Sequence, residues 1–148
     1  MTRFLADTNV WLALSIASHR HHRACLEWLD GIDEPGAVVM PRMVQLAVLR
    51  LVTTTAVLAP HGRPALTNDE AWAVIDAIAA DERVTIEIEE PPLDPAWRSW
   101  TRRTTASPNL WMDAYLGAYA TTAGYTLATL DAAFAQFQDL AWLNLAPT

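Results

Sequence analysis

Apolar positions recur along this chain with two periods, and the changes from one period to the other mark its elements. Phe4-Leu5-Ala6 is a short apolar run that stops at Asp7, and from Asn9 the residues Val10, Trp11, Leu14 and Ile16 recur at helical spacing. A second helix fits His21 to Asp30, with Cys25, Leu26 and Leu29 on one side and Gly31 closing it. Ala37-Val38-Val39-Met40 reads as a buried strand, and Pro41 opens a helix through Val44, Leu46, Leu49 and Val52. Two prolines and a glycine between Ala59 and Ala65 interrupt the pattern, after which Thr67-Asn68-Asp69-Glu70 caps a helix through Trp72, Ile75 and Ile78. Arg83 to Glu89 alternates as a strand does, Pro91-Pro92 breaks it, and a helix carrying Trp97 and Trp100 follows. Pro108-Asn109 restarts a helix from about Leu110 to Ala123, ended by Gly124. Thr126-Leu127-Ala128 is a strand, Asp131 to Phe137 a short helix, and Leu140 to Leu143 a last small strand.

Strands that alternate with helices of this length predict the α/β class: a three-layer α/β/α arrangement, Rossmann-like, with a mainly parallel central sheet covered on both faces. No repeat, low-complexity tract or linker divides the chain, so residues 1–148 are read as one domain. In such sheets functional groups gather beyond the carboxyl ends of the strands, where the topology changes direction.

Composition narrows the chemistry. With 148 residues and 52% hydrophobic content the chain can bury one core without disulfides, and the lone Cys25 in an apolar helical pattern reads as core filler in a reducing compartment. No basic leader opens the sequence and no run reaches the roughly 18 apolar residues of a membrane span, so a cytoplasmic protein with no membrane association is expected. The net charge of −7 argues against a surface that binds nucleic acid everywhere, so any such contact must be local. All ten basic side chains are arginines, which removes Schiff-base lysine, phosphate-loop lysine and receiver-domain chemistry.

Three acids stand out by position: Asp7 at the end of the first strand, Asp113 in the first turn of the helix after Asn109, and Asp131 just after Thr126-Leu127-Ala128. Each alone has a helix-capping explanation. Together they occupy strand ends and a helix start that converge on one edge, where neighbouring carboxylates repel unless a cation neutralises them. An all-oxygen set suits Mg²⁺ or Mn²⁺, and metal-assisted phosphodiester hydrolysis is the chemistry such a set serves. A haloacid-dehalogenase phosphatase also opens with a strand and an aspartate, but it needs a second aspartate where this chain has Asn9.

The run Leu5-Ala6-Asp7-Thr8-Asn9-Val10-Trp11-Leu12-Ala13-Leu14 resembles the opening of PIN-domain toxins of the VapC type. Val44 to Thr53, Asn109 to Leu116 and Thr129 to Phe134 match further blocks of that family in order and approximate spacing, across nearly the whole chain. The resemblance implies a Mg²⁺- or Mn²⁺-dependent endoribonuclease, the toxin of a toxin–antitoxin pair. It would act on RNA as a homodimer and be held inactive by a cognate VapB-like antitoxin. It also implies that Asp7, Asp113 and Asp131 are the metal-binding catalytic acids, with Asn9 and Thr129 orienting them or a bound water. One position departs: the family's glutamate in the helix before Leu49-Arg50-Leu51 is Gln45, and no Asp or Glu lies between Pro35 and Asn68 to replace it. A glutamine oxygen can ligate a hard cation or hold its water without adding charge. The missing carboxylate therefore keeps open a second reading, a catalytically weak PIN fold that serves mainly to bind a protein partner.

Other signals are less specific. Arg98, Arg102 and Arg103 form the densest basic cluster, and with Arg50 they are candidates for RNA contact or simply for a solvated face. His19, His21 and His22 lack the i, i+4 spacing of a helical metal face and are placed at the exposed start of the second helix. Trp72, Trp97 and Trp100 read as core or interface side chains before base-stacking platforms. The helices Val10–Ile16 and Val44–Val52 are apolar over more than one stripe, and the excess must be covered by the sheet, a second subunit or a partner.

Overall fold

β1 (Phe4–Ala6), β2 (Val38–Pro41), β3 (Val84–Glu87), β4 (Thr126–Thr129) and β5 (Trp142–Asn144) form one sheet in the order β3-β2-β1-β4-β5, as seen in a computed structural model that describes residues 1–148. Every neighbouring pair is parallel, with Phe4 opposite both Val38 and Thr126. Seven helices connect the strands: α1 (Thr8–Ser15), α2 (His22–Asp30), α3 (Arg42–Val52), α4 (Thr55–Leu58), α5 (Asn68–Ala79), α6 (Asp94–Thr101) and α7 (Leu110–Ala123). Short 3₁₀ turns at Ala59–His61 and Ala132–Gln136 complete the chain.

The order of the strands decides which face each helix covers. From β1 to β2 to β3 the chain steps one way across the sheet, so right-handed crossovers put α1 to α5 on one face. The step from β3 back to β4 passes the other way and puts α6 and α7 on the opposite face. The reversal falls between β1 and β4, which makes the space beyond their carboxyl ends the crevice expected for a ligand in this architecture.

The strands are short continuous apolar runs because both of their faces are covered: Leu5, Val38, Val39, Met40 and Leu127 are fully buried. On α7 a stretch from Ala114 to Ala120 is buried on every side, and Gly117 permits the close approach of α6, since a Cβ there would stand 3.0 Å from the Trp100 ring. Trp100 in turn stacks on Phe137, ring centres 4.9 Å apart, which ties α6 to the segment after β4. α5 starts on a reciprocal cap between Thr67 and Glu70, and α7 ends at Gly124 with φ of 75°, a left-handed conformation suited to glycine.

Several expectations shift. The strand expected over Arg83–Glu89 pairs only from Val84 to Glu87, leaving Ile88 exposed, and the last strand lies at Trp142–Asn144 rather than Leu140–Leu143. Leu140 is buried instead as a core contact outside the sheet. The interruption read over Ala59–Ala65 opens with a 3₁₀ turn at Ala59–His61, and the short α4 at Thr55–Leu58 just before it was not expected, since four residues are too few for a helical period to register. No single helix is long and apolar enough to cross a membrane.

Candidate active site

Asp7 is the pivot of the β1–β4 crevice. Its backbone N–H extends the β1–β4 ladder to the Ala128 carbonyl at 2.8 Å, and its extended backbone makes it the cap of α1. Oδ1 accepts from the Thr8 N–H at 2.7 Å, so the capping explanation holds, but it uses only one oxygen. Oδ2 accepts the Thr129 hydroxyl at 2.8 Å, a contact set by β4 ending one residue past the Ala6–Ala128 register.

Thr129 is fully buried and saturated: its hydroxyl also accepts from the Asp131 N–H at 3.0 Å and from the Asn9 amide at 3.5 Å. Asn9 then accepts the Leu130 N–H at 3.2 Å with its own oxygen. Asp131 caps the turn after β4 by accepting from Ala133 N–H at 2.9 Å, and its side chain faces solvent. Asn9 and Thr129 thus bind the ends of β1 and β4 together and fix the rotamer of Asp7.

Asp113 comes to the same edge from the other face of the sheet, half-buried in the first turn of α7. The three acids sense one another. Burial pushes the Asp7 carboxyl up to about 6, against the pull of its Thr129 and Thr8 hydrogen bonds, and the charges of Asp113 and Asp131 raise it further. Asp113 is also held above the ordinary carboxylate range, by burial first and by Asp131 second. No ion pair reaches any of the three. They share an edge without closing into a ready three-ligand cage.

Gln45 is 6% exposed in the first turn of α3, on the helix that leaves the carboxyl end of β2, and its Oε1 is buried with no hydrogen-bond partner. An orphaned acceptor of this kind costs roughly 1–3 kcal/mol, so an unpaired oxygen at this edge asks for a donor or a cation. With three carboxylates, one free amide oxygen and no sulfur, the donor set fits a hard divalent ion that keeps several waters and takes one or two carboxylates directly.

The arginine candidates separate. Arg103 reaches this edge: a hollow of about 290 Å³ is bordered by Arg103, Asn109, Asp113 and Gln136. Arg98 and Arg102 lie further along the α6 side. Arg50 does not belong with them, because α3 runs back from the carboxyl edge and Arg50 sits in its exposed last turn, lining a separate groove with Leu49 and Trp72. The histidines are half-buried rather than exposed, His22 bonding the Ala13 carbonyl at 2.7 Å and His19 stacking on His61, which suits a structural role. Trp72 is 49% exposed and so is not core, while Cys25 is fully buried as filler. Sequence reasoning passed over Trp111, 56% exposed beside Asp113, because the start of α7 is apolar all round and does not reveal its outer side.

A parallel sheet whose acids meet at the switch point is the layout of a PIN domain, and the PIN-domain family model matches residues 4–140. The chain belongs to that family. Its relatives lie among the VapC proteins: it is 46% identical to ribonuclease VapC41 of Mycobacterium tuberculosis over 134 residues, 90% of this chain and 92% of that protein. It is 31% identical to ribonuclease VapC25 of the same organism, over 93% of this chain and 94% of that protein. Among solved structures, the fold resembles M. tuberculosis VapC20, a toxin that cleaves the sarcin-ricin loop, with a TM-score of 0.66 and 18% identity over 93% of this chain and 97% of that one. It also resembles VapBC2 of Rickettsia felis bound to a fragment of its promoter, with a TM-score of 0.66 and 13% identity over 97% of this chain and 98% of that one.

Proposed function

We propose that the chain is a Mg²⁺- or Mn²⁺-dependent endoribonuclease and the toxin of a VapBC-type pair. The observation that carries this reading is the electrostatics of the β1–β4 crevice: a buried Asp7, raised toward neutral pH by its own burial and by two further acids, with no ion pair to any of the three. Ribonuclease relatives at up to 46% identity support RNA as the substrate.

In this reading Asp7, Asp113 and Asp131 hold the ion, and the Gln45 oxygen takes a ligand position or orients a water. A bound divalent ion supplies a water of lowered pKa and offsets charge at the phosphorus. Thr129 keeps Asp7 ionised and aimed by donating to Oδ2, and Asn9 keeps Thr129 in place. The side chains themselves provide no base matched to neutral pH apart from Asp7, whose Oδ1 is committed to the α1 cap and Oδ2 to the Thr129 hydroxyl.

Solved VapBC complexes among the structural neighbours support a small antitoxin partner, and Leu46, 52% exposed on α3, is an apolar position for it to cover. A homodimer in the cytoplasm completes the proposal. The test is cleavage of labelled RNA by purified protein: activity is expected with Mg²⁺ or Mn²⁺, none with excess chelator, and none for a folded Asp113→Ala variant. Cleavage that survives the chelator overturns metal dependence. A protein that binds neither ion by calorimetry yet copurifies with its antitoxin would instead be the weak, partner-binding PIN fold.

A further inference from the structure

We propose that the surface between α6 and α7 is a substrate subsite in which an unpaired nucleobase of single-stranded RNA stacks on Trp111 while Arg98 and Arg102 hold flanking phosphates. Arg103 links this subsite to the acid edge. The proposal rests on the nuclease reading above and extends it to how the RNA is held away from the bond that is cut.

Three adjoining hollows carry the inference. The largest, about 460 Å³, is bordered by Trp97, Arg98, Arg102, Arg103 and Trp111, with Asp94 as its single acid. A second, about 320 Å³, shares Arg103 and Trp111 with it and continues along Ser107 and Pro108. The third is the hollow of about 290 Å³ that Arg103 shares with Asp113. Arg103 borders all three, and its Nη2 donates to Gln136 Oε1 at 3.1 Å, which holds the guanidinium where the hollows meet. The three hollows therefore adjoin in sequence from the tryptophans to Asp113.

Their lining has the chemistry of a single strand. The ion pairs of the protein use only Arg23 and Arg83, so Arg98, Arg102 and Arg103 stand unneutralised on a chain of net charge −7. Trp111 offers an exposed indole, and its backbone is steadied by the Trp97 indole N–H, which donates to the Trp111 carbonyl at 3.0 Å. Trp97 is itself fixed edge-on against Tyr115, ring centres 5.6 Å apart. Guanidiniums without ion-pair partners beside an exposed indole are what a splayed base and its phosphates require, and a duplex keeps its base faces stacked inside. A row of hollows that ends at Asp113 favours the substrate over a protein partner as its occupant.

The test is anisotropy of a short labelled single-stranded oligoribonucleotide in excess chelator, together with cleavage kinetics in Mg²⁺ on the same RNA and on a dinucleotide. Wild type is expected to bind the single strand more tightly than a duplex of equal length. Trp111→Ala should weaken binding roughly thirtyfold, the middle of the range for loss of one stacked base, and Trp111→Phe should restore most of it. Arg102→Ala should reduce the slope of log affinity against log salt by about 0.7, one phosphate contact on a single strand. Both alanine variants should raise KM on the longer RNA, leave kcat unchanged and leave dinucleotide cleavage unaltered. If folded Trp111→Ala and Arg102→Ala bind and cleave as wild type does, the subsite is wrong and the nuclease reading stands. If an acidic peptide occupies the groove without competing with RNA, the groove belongs to a protein partner and the subsite is again wrong. A wild type that neither binds nor cleaves RNA brings down both.

Discussion

Two groups of buried or half-buried acids lie in this fold, and their surroundings differ in kind. Glu87, at the end of β3, accepts hydrogen bonds from the hydroxyls of Tyr119 and Tyr125, and Tyr125 in turn accepts from Arg3, whose guanidinium also lies 5.1 Å from the Tyr125 ring. The phenols are held protonated, since burial and the Glu87 carboxylate push Tyr119 and Tyr125 above the usual phenol range. The chain supplies every donor that acid needs. At the β1–β4 crevice Asp7 also has two donors, Thr129 and Thr8, yet two more acids face it and no arginine does. A buried acid satisfied by its own chain is architecture, while acids gathered without a counter-charge need something from outside it.

The sharpest way to break this contrast is to neutralise one acid at each place. Asp7→Asn should reduce RNA cleavage by at least about a thousandfold, on the order of 4 kcal/mol of barrier, while the metal-free protein becomes more stable at pH 7.5. Opposite signs in the two measurements are the signature of a functional acid. Cleavage within tenfold of wild type in a folded Asp7→Asn protein would remove Asp7 from the site.

The next effect follows from pH. The Asp7 carboxyl titrates near 6 in the fold and near 3.8 when free, so the folded state holds the proton more tightly. Its contribution to stability is full below about 3.8 and is lost as pH rises through about 6, at most about 3 kcal/mol over that window. Chemical denaturation of metal-free protein at pH 4.5 and 7.5 should show this fall, and Asp7→Asn should flatten it. Added Mn²⁺ should stabilise more at pH 7.5 than at 4.5, because the ion competes with the proton. Equal stabilisation at both would mean the ion binds elsewhere.

Glu87→Gln tests the other half. It weakens two charge-assisted hydrogen bonds, so a loss of about 2 kcal/mol in stability is expected with cleavage unchanged at temperatures where the protein stays folded. A large loss of kcat in folded protein would mean that the two acid groups are not separable.

The difference also explains what could be read from the sequence. Asp7 could be singled out because it stands just beyond a strand end, where an apolar run stops in a parallel sheet, whereas Asn9 and Thr129 entered only through the family resemblance. The Glu87 cluster was not legible, since it joins residues 32 and 38 positions apart through side chains on α7 and in the turn just before β4, whose facing depends on how α7 crosses the sheet. Trp111 was hidden for the same reason: α7 shows no polar stripe, so packing alone decides that Trp111 faces out and Tyr115 faces in. Arg50 is close to Gln45 in sequence, yet a helix of eleven residues carries its last turn away from the edge where it began.

The smallest effect is the most informative about Gln45. Its unpartnered oxygen is buried where the family's pattern has a carboxylate, so Gln45→Glu adds a negative charge to an edge that already repels itself. Without metal the variant should therefore be less stable than wild type at pH 7.5, and the deficit should shrink as pH falls and the new carboxyl takes up a proton. With metal the sign reverses, because cation affinity rises with the charge of the ligands, and calorimetry should show Mn²⁺ binding roughly tenfold tighter. The two measurements check each other. A variant destabilised alike with and without Mn²⁺ places residue 45 in the fold but off the ion. Tighter binding together with a metal-free stability deficit makes Gln45 the position at which this chain holds its ion more loosely than a four-carboxylate edge does.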